Sequence, residues 1–167
     1  MLIEVTDDSG FLALLDPDAY AGFVAEDWEY DQLVAHFVEQ MRLRRLLIWA
    51  TGAENTWRVE IGAGVKPDDE PFRAIDGGIV TTEGRLLLTS YEALTMAAQF
   101  DDVRLPEEHQ RDQLLRVTPG SYACAIAQRY RPDRVASRYA FSGAKHFSVG
   151  LARRADLPEP WPAIPWT

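Results

Sequence analysis

Any chemistry in this chain has to come from three histidines, one cysteine, a serine–lysine pair and a few charged clusters. His36, His109 and His146 are widely spaced, and no two stand at the interval that puts a pair of imidazoles on one helical face for a metal. His36 falls on the polar side of a helical pattern and reads as solvated. His109 follows Glu107 and Glu108, a grouping able to move a proton or hold a metal weakly. His146 alternates with Phe147 along a strand pattern and suits a structural role equally well. Ser142 and Lys145 have the Ser-x-x-Lys spacing of one enzyme class, but they sit in a strand-and-turn context and the companion motifs of that class are missing. The single Cys124 cannot form an internal disulfide, and its apolar surroundings, Tyr122 to Ala127, read as core.

The clusters are no more specific. Asp68, Asp69 and Glu70 lack the spaced ligands and turn glycine of a calcium loop. Gly62, Gly64, Gly77 and Gly78 do not open a helix in a phosphate-binding pattern, and turns account for them. No catalytic constellation is visible, so the chain leans toward a non-enzyme with no cofactor and no metal. The enzymatic alternative is a site assembled only in three dimensions, from Tyr122, His146, His109 and neighbouring arginines.

Charge is the strongest signal. The net charge is -9, yet the first forty residues hold ten acids and no Lys or Arg. Residues 129–154 hold seven basic residues against Asp133 alone. Such asymmetry steers a charged partner or holds two protomers in register. The acidic region offers Asp7, Asp8, Glu26, Asp27, Glu29 and Asp31 to a basic protein, with Trp28 or Trp49 as aromatic anchor. Arg129, Tyr130, Arg131, Arg134 and Arg138, with His146, offer instead a ligand or phosphate site. Interleaved arginine and tyrosine over 129–139 is also the composition of a nucleic-acid surface, which an overall pI near 4.8 disfavours.

The elements that must position these residues follow from periodicity. Apolar residues at Tyr30, Leu33, Val34, Phe37, Val38 and Met41 predict an amphipathic helix near 28–44, capped by Asp27. Thr89 and Glu92 have capping-box spacing ahead of a short helix near 90–99. Strand patterns on either side of tight turns predict four hairpins: Leu2 to Leu15, Leu46 to Ile61, Phe72 to Ser90, and Gln113 to Tyr130 about Pro119-Gly120. In the second, Trp49 lies opposite Arg58 and faces a second layer or a partner. The expected class is α+β and mainly antiparallel β, with about seven to nine strands in a sandwich or strongly curved sheet.

The expected organisation is one domain over 1–156 and an extended Pro/Trp-rich tail over 157–167, whose tryptophans pack on the domain or feed a partner's groove. No apolar stretch reaches the roughly 20 residues of a membrane span, and the N-terminus lacks the basic start of a secretory signal. A cytoplasmic setting is expected. Lys66 and Lys145 are the only lysines among 17 basic residues, a bias that points to a GC-rich bacterial genome.

In outline (a helix after Asp27-Trp28, hairpins, a Pro-Gly turn before a tyrosine strand) the chain resembles small bacterial inhibitors of nucleases and toxins. The resemblance covers too few positions to carry any residue role across. Beside the charge segregation it is in keeping with a non-enzymatic interaction module whose partner is a protein, basic or a second copy of the chain; the acidic pI disfavours nucleic acid and the lack of a long apolar stretch disfavours a membrane.

Overall fold

The computed structural model describes residues 1–67, 69–135 and 144–167. Strands β1 (Leu2–Asp7), β4 (Asn55–Ala63), β9 (Phe147–Arg153), β8 (Gly120–Gln128) and β5 (Arg73–Thr81) form one sheet in that order. Strands β3 (Leu46–Ala50), β2 (Phe11–Leu15), β6 (Arg85–Ser90) and β7 (Leu114–Arg116) form the other. All neighbours are antiparallel except β4 and β9. The class is α+β, as the sequence implies.

The pairings differ from the expected hairpins. Each of the four tight connections, β1 to β2, β3 to β4, β5 to β6 and β7 to β8, joins strands in opposite sheets. A short turn can fold two strands side by side or carry the chain round a corner from one sheet to the other. Burial decides between them here. Strand β1 alternates exposed and buried residues, whereas β2 is buried almost throughout. The same contrast separates β4 from β3. The five-stranded sheet has one wet face, while the four-stranded sheet is covered on both faces.

Helix α1 (Tyr30–Arg42) packs on β3, and α2 (Tyr91–Gln99) packs on β6 and β2. Leu33, Phe37 and Met41 form the buried stripe of α1, each worth about 1.5–3 kcal/mol when removed from water. Glu29, not Asp27, caps α1: its backbone N–H donates to Gln32 Oε1 at 2.8 Å in a reciprocal capping box. Helix α2 likewise starts one residue later than expected, with Ser90 at its cap. Thr89 is instead buried, its hydroxyl accepting from Gln110 Nε2 at 2.7 Å.

Between the sheets lie Trp49, Trp57 and Phe147, with ring centroids 5.3 Å apart for Trp57–Phe147 and 6.3 Å for Trp49–Phe147. Residues 157–167 close the side where β3 and β5 meet. Trp161 is 7% exposed and its Nε1 donates to the Asp76 carbonyl at 2.8 Å. The Ala50 N–H donates to the Pro165 carbonyl at 3.0 Å. The Arg73 guanidinium stacks 4.5 Å from the Trp166 ring and donates to the Ala50 carbonyl at 2.8 Å. The tail therefore covers two sheet edges that would otherwise be open. Gly77 and Gly78 are strand residues, not turn residues. A Cβ on Gly77 would stand 2.8 Å from Trp161 and 2.9 Å from Leu47, so glycine makes room for the tail.

Candidate functional site

The residues of the enzymatic alternative do not converge. Tyr122 lies at the start of β8 opposite Arg153, whereas His146 leads into β9 beside Gln128 and Phe147. The seven residues of β8 from Tyr122 to Gln128 span about 20 Å. The Tyr122 hydroxyl donates to the Thr118 carbonyl at 2.7 Å. His146 is buried edge-on to Trp57, and its Nδ1 accepts the Arg58 N–H at 3.1 Å. Burial and the Arg58 charge hold this imidazole below its ordinary pKa, against a smaller opposing pull from Glu4. His109 is exposed on a 3-10 turn (Glu108–Gln113), 4.0 Å from Glu107. His36 is half-buried against Tyr20, not solvated, and its pKa too is lowered by burial. The Cys124 thiol, pushed up to about 12 by burial, stays protonated at neutral pH. Among the described residues no group of His, Cys, Asp and Glu could hold a metal ion.

A cleft of about 780 Å³ lies on the wet face of the five-stranded sheet. Its floor is Ala123, Ala125, Gly150 and Ala152, and none of His36, His109, His146 or Tyr122 reaches it.

The basic stretch is only partly described. Arg129 lies 5.7 Å from the Tyr130 ring. Arg131 pairs with Asp133 at 3.3 Å and lies over Phe72. Arg138 and Ser142 fall outside the described residues, as does the Arg134 side chain. Lys145 pairs with Glu60 at 2.5 Å. The described ion pairs of the acidic first forty residues run to Arg42, Arg58 and Arg85, not to this stretch.

Two members of the expected acidic surface belong to the interior. Asp7 is fully buried and accepts the Ser9 and Gly10 N–H groups at 3.1 and 3.0 Å on one oxygen. Its other oxygen accepts Thr51 Oγ1 and Trp57 Nε1, each at 3.3 Å. Burial raises its pKa against these bonds. Asp7 therefore shapes the β1–β2 corner and is not offered to a partner. Trp49 is also fully buried. It faces the second sheet, one half of the reading from sequence, and is not available as an anchor. Arg58 lies in the other sheet and pairs with Glu4 at 3.1 Å.

The remaining acids of that set stand at the β1–β2 corner and in the segment that enters α1. Asp8, Glu26, Asp27, Glu29 and Asp31 are all exposed, with Trp28 half-buried against the core. The Val24 and Ala25 N–H groups donate to the Ala98 carbonyl at 2.9 and 3.2 Å, laying the segment before α1 along the end of α2. At the other end of α2, the Asp8 N–H donates to Glu92 Oε1 at 3.3 Å. Burial pushes the Glu92 carboxyl up. Hydrogen bonds from Ser9, Ser90 and the Glu92 and Asp8 backbones outweigh it and hold the carboxyl below its usual range, so it is ionised at neutral pH. Tyr91 adjoins Glu92 and has its own pKa raised, first by burial and then by Tyr30 at the start of α1. Tyr30 is 61% exposed, and Phe23, Met96 and Phe100 are exposed on the same elements.

A second acidic feature includes Glu92. A cleft of about 430 Å³ lies beside β1, lined by Glu4, Val5 and Thr6, by Glu92, Ala93 and Met96 of α2, and by Glu107, His109, Gln110 and Gln113. Sequence reasoning missed Glu4 and Glu92 as part of any site, and grouped Glu107 only with Glu108 and His109. Nothing local marks them, since they come together only when residues far apart in the chain fold side by side. Among the described residues no helix is long and apolar enough to cross a membrane.

The chain matches no known family model and no curated protein sequence. Two solved structures share its fold. One, described as "Crocagin biosynthetic gene J", is 12% identical with a TM-score of 0.61, over 92% of this chain and 95% of that one. The other is ComJ of Bacillus subtilis, described as an inhibitor of the DNA degrading activity of NucA. It is 8% identical with a TM-score of 0.53, over 92% of this chain and 96% of ComJ. At such identities the likeness establishes the fold alone.

Proposed function

We propose that this protein is a non-enzymatic, inhibitor-like binding module, bacterial and cytoplasmic, that takes a basic surface of a protein partner on its acidic face. The face comprises Asp8, Glu26, Asp27, Glu29, Asp31 and Glu92, with Tyr30 and Phe23 as aromatic anchors. One observation carries the reading: the Asp8 N–H bonds Glu92 at the start of α2 while Val24 and Ala25 bond the Ala98 carbonyl at its end, so α2 links the acids of the β1–β2 corner to those before α1. Like charges gathered this way raise the encounter rate with a basic partner, while desolvated aromatics supply most of the affinity. The fold shared with an inhibitor of a nuclease supports the same class of function. The scattered positions of Tyr122, His109 and His146 give the enzymatic alternative no support.

Parallel affinity capture from the source cells tests this, with wild type and a variant carrying Glu26→Lys, Asp27→Lys and Asp31→Lys. Glu29 is left in place because it caps α1. Wild type is expected to retain a specific protein at about 50 mM salt and lose much of it by about 300 mM, where screening is short-ranged. The variant is expected to retain none. A partner held equally by both proteins, or only a second copy of the chain, would overturn the proposal.

A further inference from the structure

Strand β1 ends the five-stranded sheet and, among the described residues, pairs only with β4. The direction of its backbone groups follows from the ladder. The Ile61 N–H donates to the Met1 carbonyl at 2.8 Å and the Met1 amine donates to the Ile61 carbonyl at 2.9 Å, so these two residues exchange bonds. In an antiparallel ladder bonded and non-bonded pairs alternate. Ile3, Val5 and Asp7 therefore bond to Val59, Trp57 and Asn55, while the N–H and C=O groups of Leu2, Glu4 and Thr6 point away from β4. No described residue pairs with them, and Leu2, Glu4 and Thr6 are exposed.

The 3-10 turn Glu108–Gln113 lies beside this edge without hydrogen-bonding to its outward backbone groups among the described residues. There is no proline in β1 and no lysine pointing along it. At the other end of the same sheet, β5 is covered by Trp161 and the tail. Beside β1, space remains as the cleft of about 430 Å³ along Glu4, Val5 and Thr6. Three carboxylates line it, Glu4, Glu92 and Glu107, the first already paired with Arg58. No lysine or arginine is among its lining residues.

We infer that β1 accepts a short, extended, basic segment of the partner protein as an added strand, with backbone bonds to Leu2, Glu4 and Thr6 and basic side chains toward Glu4, Glu92 and Glu107. This rests on the protein-binding reading above and specifies the mode. Main-chain bonds supply affinity, and the carboxylates select charge. Two copies of this chain pairing through β1 would set the same acidic rims against each other, which disfavours self-association there.

The test uses the full chain and an eight-residue, end-capped peptide of alternating lysine and valine, compared with its fully N-methylated counterpart. Methylation keeps the charge and removes the strand donors. The unmethylated peptide is expected to bind at low salt and to slow amide hydrogen exchange at Leu2, Glu4 and Thr6. The methylated peptide is expected to bind at least about tenfold more weakly. Thr6→Pro, at a position whose N–H is not used by β4, is expected to weaken the unmethylated peptide similarly. Equal binding of the two peptides, no binding of either, unchanged exchange at the three amides, or a β1-paired dimer would overturn the inference. Protein capture that is still lost on reversing Glu26, Asp27 and Asp31 would then show that the acidic face binds its partner in another way.

Discussion

The backbone N–H of Asp8 donates to Glu92 Oε1 across 3.3 Å, tying the β1–β2 corner to the start of α2, 84 residues along the chain. This one bond orients the corner and brings Asp8 beside Glu92. Glu92→Lys is therefore expected to act twice. It removes the acceptor, costing about 1 kcal/mol of stability, and it reverses charge at the centre of the acidic face. A urea titration reads the first effect, and calorimetry with the captured partner reads the second.

Asp7→Ala is expected to behave differently from the surface acids. It strips the acceptor from two backbone N–H groups, Thr51 and the Trp57 indole in a fully buried place. Stability should fall by about 2–4 kcal/mol, while partner affinity measured well below the melting temperature stays near wild type. A large affinity loss in a variant of unchanged stability would return Asp7 to the binding surface.

Stability should also depend on half-buried His36 and buried His146. His36 and His146 are both held below their ordinary pKa, chiefly by burial. Unfolded histidines take up protons near pH 6.5. Stability is therefore full above about pH 6.5, falls as the pH drops through that value, and levels off below the folded-state pKa values. Urea midpoints between about pH 7.5 and 5 should show this fall. His36→Asn with His146→Asn should flatten it, and an unchanged slope in that double variant would exclude these two groups as its source.

The tail makes the fourth prediction. Trp161→Ala empties a buried place beneath Gly77 and breaks the bond to the Asp76 carbonyl. A loss of about 3 kcal/mol is expected, together with proteolysis after residue 156. Gly77→Val should give the same proteolytic product by pushing the indole out. A tail that resists cleavage in both variants would show that other contacts hold it.

Much of the architecture was legible in particular residues. The apolar spacing from Leu33 to Met41 marked α1, and the tail's tryptophans do pack on the domain. The strand partners were misjudged because a tight turn serves a hairpin and a corner equally well. A discriminating sign was nevertheless present: Leu2 to Asp7 alternates, while Phe11 to Leu15 is continuously apolar, and strands of such different patterning cover different layers. The same sign bears on Asp7, which falls in phase with the buried Ile3 and Val5 and precedes a turn whose N–H groups it accepts. The grouping of Asp8 with Glu92, and of Glu4 with Glu107, depends on long-range packing and left no local trace.

Where a protein partner sits decides between the acidic face and every other surface of the protein. Hydrogen-exchange mapping of the complex formed with the captured partner addresses this most directly. Slowed exchange is expected over residues 8–10, 24–31 and 91–96, with the β1 amides joining them. Unchanged exchange in all of these segments, with protection instead on the alanine-floored face of the five-stranded sheet or around Arg129 to Arg131, would contradict it.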